Sequence, residues 1–221
     1  MKPLLLLPLA LLAACSATPS DAPVDPALQL AVQDEGDGGG MMEMSPEEMA
    51  AMVAFMMPSD AHASLATMTG DWDVNAKMWE PGSENPMTMT YTTSAEMILG
   101  GRYLVEEATG SFMGQDFEGM LLMGYNNGTQ EYFSLWIDNF GTGMSLSKGK
   151  AERDGTVPMM GTMEDWVAPA GRPLRSVMEV GDDEHTLHMW SIHEDGTEVK
   201  AMELHYTRQM ADVEDSGEVV K

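Results

Sequence analysis

The pattern of apolar and polar positions changes several times along the chain. Residues 4–12 are one unbroken apolar run, residues 16–40 show no hydrophobic period, and beyond residue 45 apolar positions recur, first at helical spacing and then in alternation. Ser45-Pro46-Glu47-Glu48 carries the marks of a helix start: a hydroxyl for the N-cap, proline in the first turn, and a glutamate closing a capping box. Met49, Met52, Val53 and Met56 then form one stripe, and Met57-Pro58 ends it. A second short helical turn is expected around His62 to Met68. From residue 69 the period becomes two and predicts ten strands, at 72–79, 87–99, 102–109, 117–126, 131–138, 143–153, 156–166, 173–180, 185–193 and 200–209. Asn127-Gly128, Asp154-Gly155 and Asp195-Gly196 read as type I′ hairpin pairs, with Gly100-Gly101 and Gly181-Asp182-Asp183 as less specific turns. Ten consecutive antiparallel strands do not stay comfortably flat, and closing the sheet removes its edges. The expected fold is all-β: an up-and-down antiparallel β-barrel of about ten strands, preceded by a short capping helix.

Alternation also assigns faces. A two-residue loop at Asn127-Gly128 pairs Asn126 with Thr129 and sets Met123 against Tyr132. One face then carries Phe117, Leu121, Met123 and Tyr125 with Tyr132, Ser134, Trp136 and Asp138; the other carries Met120 and Leu122 with Phe133, Leu135 and Ile137. Both faces are apolar, so this hairpin is expected to be covered on both sides, by the barrel and by the Met-striped helix. The face with Tyr132, Ser134, Trp136 and Asp138 suits a ligand cavity, or equally an outer face under a loop. Treated alike, Asp195-Gly196 puts His188 opposite Glu203, with His205 two residues along on the same face. Leu187, Met189, Met202, Leu204 and Tyr206 share the opposite, apolar face, and Arg208 follows on that parity. Buried there, Arg208 would anchor a ligand carboxylate; at a strand end it can also snorkel to solvent.

Length and charge narrow the setting. The 221 residues give room for one ordinary domain plus extensions. With 36 Asp+Glu against 11 Lys+Arg, a net charge of −25, both nucleic acid and electrostatic docking on anionic lipid are excluded. Met1-Lys2-Pro3, the run from Leu4 to Leu12 and then Leu12-Ala13-Ala14-Cys15 have a signal-peptide layout. The run is too short for a spanning helix, which needs about twenty residues. Cys15 is the only cysteine, so no disulfide forms within the chain. Leu-Ala-Ala-Cys resembles the lipobox of bacterial lipoproteins. That resemblance implies cleavage before Cys15, acylation of its sulfur and of the new N-terminus, and stable anchoring by two or more acyl chains. Ser16, rather than Asp, then implies the outer membrane, with the chain facing the periplasm. The organisation expected is a signal peptide at 1–14, an acidic Gly/Pro/Ala-rich tether at 15–44, a helical segment at 45–68, the barrel at 69–210 and an acidic tail at 211–221.

Candidate chemistry is sparse. The 24 methionines suggest Cu(I), with Met41-Met42-Glu43-Met44 and the helix stripe as the places to look. Methionine nevertheless replaces the usual aliphatics in the strands too, as at Met87, Met89, Met159, Met160 and Met163, which is better explained as adaptable core filling. His188, Glu203 and His205 resemble a two-His, one-carboxylate metal set at cross-strand distances of about 5 Å and diagonals of about 7–8 Å. A solvated His–Glu pair on the barrel exterior explains them more simply. His185 is three residues from His188 and so falls on the other face. There is no G-x-S-x-G, Walker loop or H-E-x-x-H, so no catalytic residue is assigned and no cofactor is expected.

Several segments together carry a family resemblance: Gly70-Asp71-Trp72-Asp73-Val74, Glu96-Met97-Ile98-Leu99-Gly100-Gly101-Arg102-Tyr103-Leu104, Phe117-Glu118-Gly119, Gly124-Tyr125, Trp136-Ile137-Asp138, Thr142-Gly143 and Tyr206-Thr207-Arg208. Across residues 60–209 the chain resembles the bacterial family catalogued as domain of unknown function 1579. Its opening Gly-x-Trp is also similar to the first-strand signature of the calycin barrels: lipocalins, fatty-acid-binding proteins and the haem-binding nitrobindins. The resemblance implies a small-ligand barrel and supplies no catalytic residues, and no histidine stands out as a nitrobindin-like haem ligand. The function expected is a lipid-anchored cell-envelope barrel binding a small apolar or amphipathic ligand. Its candidate residues are Trp72, Arg102, Tyr132, Trp136, Asp138, Tyr206 and Arg208, the aromatics supplying contact and the arginines orienting a polar head. The alternatives are a structural or interaction lipoprotein with a solid-packed barrel, and a metal- or haem-binding envelope protein.

Overall fold

The structure, a computed structural model, describes residues 45–80 and 82–210; the signal peptide, Cys15, the tether with Met41-Met42-Glu43-Met44, and the acidic tail lie outside the described residues. Helix α1 (Pro46–Met56) opens with the expected capping box. Ser45 Oγ accepts from the Glu48 N–H at 3.2 Å, and the Glu48 carboxylate accepts from the Ser45 N–H at 2.7 Å. Helix α2 (Asp60–Ala66) follows, entered by a bond from the Ser59 N–H to His62 Nδ1 at 3.0 Å. Ten strands come next: β1 (Gly70–Met78), β2 (Met87–Ile98), β3 (Tyr103–Phe112), β4 (Gln115–Asn126), β5 (Glu131–Asp138), β6 (Ser145–Gly149), β7 (Val157–Met163), β8 (Arg172–Val180), β9 (Glu184–Ile192) and β10 (Glu198–Arg208). Each pairs antiparallel with the next, and β1 pairs with β10, so the barrel is closed.

The two helices are held differently. α2 is the cap: Leu65 and the following Met68 are buried with Leu104, Met123 and Tyr132. α1 does not cover the β4–β5 hairpin as its stripe suggested. Met49, Met52, Val53 and Met56 are 40–55% exposed, and Met120 and Ile137 on the outer face of the hairpin are exposed as well. Polar contacts at its C-terminal end hold α1 instead. Arg102 donates twice to the Met56 carbonyl, and Asn127 Nδ2 donates to the carbonyls of Ala54 and Met57. These bonds satisfy last-turn carbonyls that have no partner within the helix.

The three loops read as type I′ pairs take other forms. That turn needs positive φ at both central residues. Gly155 (88°) and Gly196 (83°) have it, but Asp154 and Asp195 do not. Each aspartate instead accepts from the N–H two residues on, and the loop ends on its left-handed glycine. The β4–β5 loop is four residues long. Asn126 Oδ1 accepts from the N–H groups of Gly128 and Thr129, and Gln130 closes the loop at φ 56°. Tyr125 therefore faces Tyr132, and Met123 faces Ser134 rather than Tyr132. This shift is even, so every side chain keeps its expected face. Between β9 and β10 a bulge separates Lys200↔Trp190 from Met202↔Met189, and beyond it His188 faces Glu203 as expected.

The interior is unevenly filled. Along β1–β4 and β10 it holds Trp72, Tyr91, Leu104, Phe117, Leu204 and Tyr206, all buried. On the β5–β8 wall large inward residues, among them Tyr132, Trp136, Met159, Leu174 and Met178, alternate with a patch of small ones: Ser134 and Gly161 register against Ser147, Ser145 against Trp136, and Ser176 against Met159. Side chains just fill the interior of an eight-stranded barrel, whereas ten strands enclose more room.

Candidate functional site

The less tightly buried part of the interior is organised around Trp136. Its Nε1 donates to Asp138 Oδ2 at 2.8 Å, and Asp138 Oδ1 accepts from the Phe140 N–H at 3.0 Å, so the carboxylate fixes both the indole and the strand end. The ring lies over Gly119, where an added Cβ would stand 2.5 Å from two indole carbons. Only glycine leaves that space. Phe117 stacks on Trp136 with ring centroids 6.2 Å apart, and Tyr91 meets Phe117 edge-on at 5.4 Å. Trp136, Leu121, Ser134, Met189 and Met202 all lie on inward rows yet remain half-buried. Tyr132 sits in the neighbouring cluster beneath α2, edge-on to Tyr125 at 4.8 Å.

Trp72 is fully buried on the packed side, its Nε1 donating to the Met68 carbonyl at 3.0 Å. The His185 ring lies 3.8 Å from it, and the Arg208 guanidinium covers its face at 4.1 Å. Arg208 reaches three backbone carbonyls, donating from Nε to Asp182, from Nη1 to Thr69 and from Nη2 to Thr67. It clamps the α2–β1 connection and the β8–β9 turn to the end of the barrel. Arg102 plays the matching part for α1, donating to the carbonyls of Met56, Leu99 and Gly100. Beside Arg102 lies a cleft of about 620 Å³ walled by Phe55, His62, Tyr125 and Tyr132. The structure thus joins Trp72, Tyr206 and Trp136 in one interior cluster, places Tyr132 in another, and sets both arginines at rims, bound to main chain.

Residues that the sequence reading passed over lie at the centre. Glu106 is 2% exposed, on an inward row between Leu104 and Ala108. Burial pushes its carboxyl up to about 7, while hydrogen bonding to Tyr206 acts the other way. The phenols of Tyr91 and Tyr206 belong to the same buried cluster, and burial raises both. Glu106 Oε1 and the hydroxyl of buried Thr93 have no hydrogen-bond partner among the described residues. His185 is buried against Trp72 and Tyr206, and burial pushes its imidazole down. Alternation in β3 carries the missing signal. Leu104, Glu106 and Ala108 share one parity, which places a carboxylate inside.

The residues weighed as a metal set gather on the exterior, in a cleft of about 360 Å³. His188 Nδ1 is 3.6 Å from Glu203 Oε2, but Lys200 and Lys77 both bind that carboxylate, and they hold it down at about 2. His205 Nδ1 lies 3.3 Å from the Thr186 hydroxyl. Among the described residues no three His, Cys, Asp or Glu side chains are grouped to hold a metal ion.

A family model described as a protein of unknown function, DUF1579, matches residues 57–208. The crystal structure of Rv2717c from M. tuberculosis is similar in fold, with a TM-score of 0.53 at 12% identity, and the match covers 70% of this chain and all of that one. The ywiB protein from Bacillus subtilis matches at a TM-score of 0.35 and 6% identity, over 63% of this chain and 91% of that one. No curated protein matches.

Proposed function

We propose, from the premise that the chain belongs to the DUF1579 family of proteins of unknown function, that it is a lipid-anchored envelope barrel holding a small apolar or amphipathic molecule in its interior. One observation carries this reading. In a closed ten-stranded barrel the inward rows of β5–β8 carry a patch of small residues, Ser134, Ser145, Ser147, Gly161 and Ser176, and on inward rows of the same barrel Trp136, Leu121 and Met189 are only half-buried. A barrel selected for solid packing would place large side chains at those positions. Trp136, held flat over Gly119 by Asp138, supplies a rigid apolar wall, and Trp72 and Tyr206 close the far side. The two arginines act as structural clamps in this reading, so the ligand's polar head is met by other groups.

Native mass spectrometry of full-length protein from its own envelope tests the binding half. A co-purifying molecule released on denaturation supports it; a barrel of bare polypeptide mass, silent to added aliphatic probes, refutes it. The anchoring half is tested separately. Cys15→Ser is expected to abolish acylation and move the protein from the membrane fraction to the soluble one, and unchanged fractionation overturns it.

A further inference from the structure

The interior holds a polar cluster that no structural role accounts for. Two oxygens, Glu106 Oε1 and Thr93 Oγ1, are buried without a partner, in residues 2% and 3% exposed. A buried polar atom left unpaired is destabilising, so such atoms persist where something pairs with them. The two residues belong to neighbouring inward rows. Thr93 faces Ala108 and Ala95 faces Glu106, which makes Thr93 and Glu106 diagonal neighbours on one wall. Tyr91, two residues from Thr93 on the same row, and Tyr206 complete the group.

We infer that Glu106 and Thr93, framed by Tyr91 and Tyr206, form the head-group end of the interior site, and that they take an aliphatic molecule whose head donates hydrogen bonds, such as a long-chain amine or alcohol, in preference to a carboxylate. This rests on the interior-binding reading above and names the class of ligand. The argument is one of complementary charge. An anionic head requires a cation, and the described arginines on inward rows are engaged elsewhere: Arg208 on three carbonyls and the face of Trp72, and Arg172 on Asp165 at 2.7 Å. The group on offer is a carboxyl, which repels a second carboxylate and accepts from an ammonium or hydroxyl. Its titration near neutrality lets it meet a charged amine as carboxylate and an alcohol as neutral acid. Tyr91 on β2, Tyr206 on β10 and, beside Tyr206, His185 on β9 are the other titratable groups around it; both phenols stay protonated, and burial keeps the imidazole neutral.

The experiment compares three chains of equal length, dodecylamine, dodecanol and laurate, titrated by calorimetry into lipid-stripped full-length protein. Dodecylamine and dodecanol are expected to bind, with laurate weaker by about tenfold or more, the equivalent of one charge-assisted bond. Glu106→Gln should cut amine affinity by about tenfold, and Thr93→Val, nearly isosteric, should weaken amine and alcohol by about threefold or more. Neither variant touches the acidic exterior, so amine held there by charge alone would survive both, and that result overturns the inference. Laurate binding as tightly as dodecylamine also overturns it, while leaving the interior site standing. Failure of all three chains to bind wild-type protein overturns the interior-binding reading itself. Should Glu106→Gln fail to fold, Thr93→Val decides the matter alone.

Discussion

Replacing Glu106 by glutamine should flatten the pH dependence of stability, and the size of the effect follows from where the carboxyl sits. In the folded barrel the group titrates at about 7, against 4.5 for its ordinary value. The folded state therefore binds this proton more tightly than the unfolded chain does. The linked stability is complete below the unfolded value and is lost as pH rises through the folded one. The full loss is about 3 kcal/mol at 1.36 kcal/mol per unit, and about 2 kcal/mol of it falls between roughly pH 5.5 and pH 8.5. Glutamine does not titrate, so its curve lacks this component. Its amide brings an extra donor into a buried place, an offset of about 1–3 kcal/mol that is the same at every pH. The informative quantity is thus the difference in slope, not the difference at one pH.

Urea denaturation of lipid-stripped wild type and Glu106→Gln at several pH values reads that slope directly. The other shifted groups, notably Glu203, held down by Lys200 and Lys77, and His185, lowered by burial, are common to both proteins and cancel. The variant should gain about 2 kcal/mol on wild type across the window, or roughly 4–8 °C in Tm for a domain of this size. Parallel curves would refute the reasoning, since they would mean that Glu106 titrates alike in the folded and unfolded states.

Other perturbations probe the packing around this centre. Trp72→Ala removes a fully buried indole, its bond to the Met68 carbonyl and its contacts with His185 and Arg208. It should cost about 3–5 kcal/mol by urea denaturation, and a cost below about 1 would contradict the central role given to that ring. Gly119→Ala drives a methyl into the indole of Trp136 and should shift its fluorescence and break its bond to Asp138; an unchanged spectrum counts against the wall described here. Arg102→Ala should release the end of α1, speeding amide exchange around Met56 while that of the strands is preserved, and equal exchange would show that the clamp is idle. Lys200→Met should raise the Glu203 carboxyl from about 2 toward its ordinary 4.5, visible in a carboxyl NMR titration, and no movement would refute the lysine as its main cause.

Much of the barrel is legible in the chain because alternation is a local property. Ten strands, their order and the inward set of β4 and β5 follow from period two, and each requires only that neighbours stay adjacent. Loop geometry is less legible because it depends on a handful of side-chain bonds. Asn126 turns back to accept from two backbone N–H groups, which makes a four-residue loop where Asn-Gly alone suggests two. Asn127 is meanwhile drawn to the end of α1, 70 or more residues earlier in the chain. No local pattern reports such a contact. The same long reach misled the reading of α1, whose methionine stripe looked like a buried face but stays exposed while the helix is held by its end.

The centre of the site could have been found with the same tool that found the strands. A charged residue on the outward parity of a strand carries no information, since water solvates it; one on the inward parity must be paired, neutralised or reserved. Glu106 and Glu107 are adjacent and chemically alike, yet one is 2% exposed and the other fully on the solvent side, and only parity separates them. The arginines drew attention instead because a cation is the familiar partner of a polar ligand head. Their donors are spent on backbone carbonyls at places where helices and turns leave the barrel. What remains for a ligand is set by subtraction. Once the clamps are removed, the interior offers a carboxyl, two phenols, a threonine hydroxyl and the His185 imidazole among methionine, serine and aromatic walls, and the carboxyl is the member of that inventory that favours a hydrogen-bond-donating head over an anionic one.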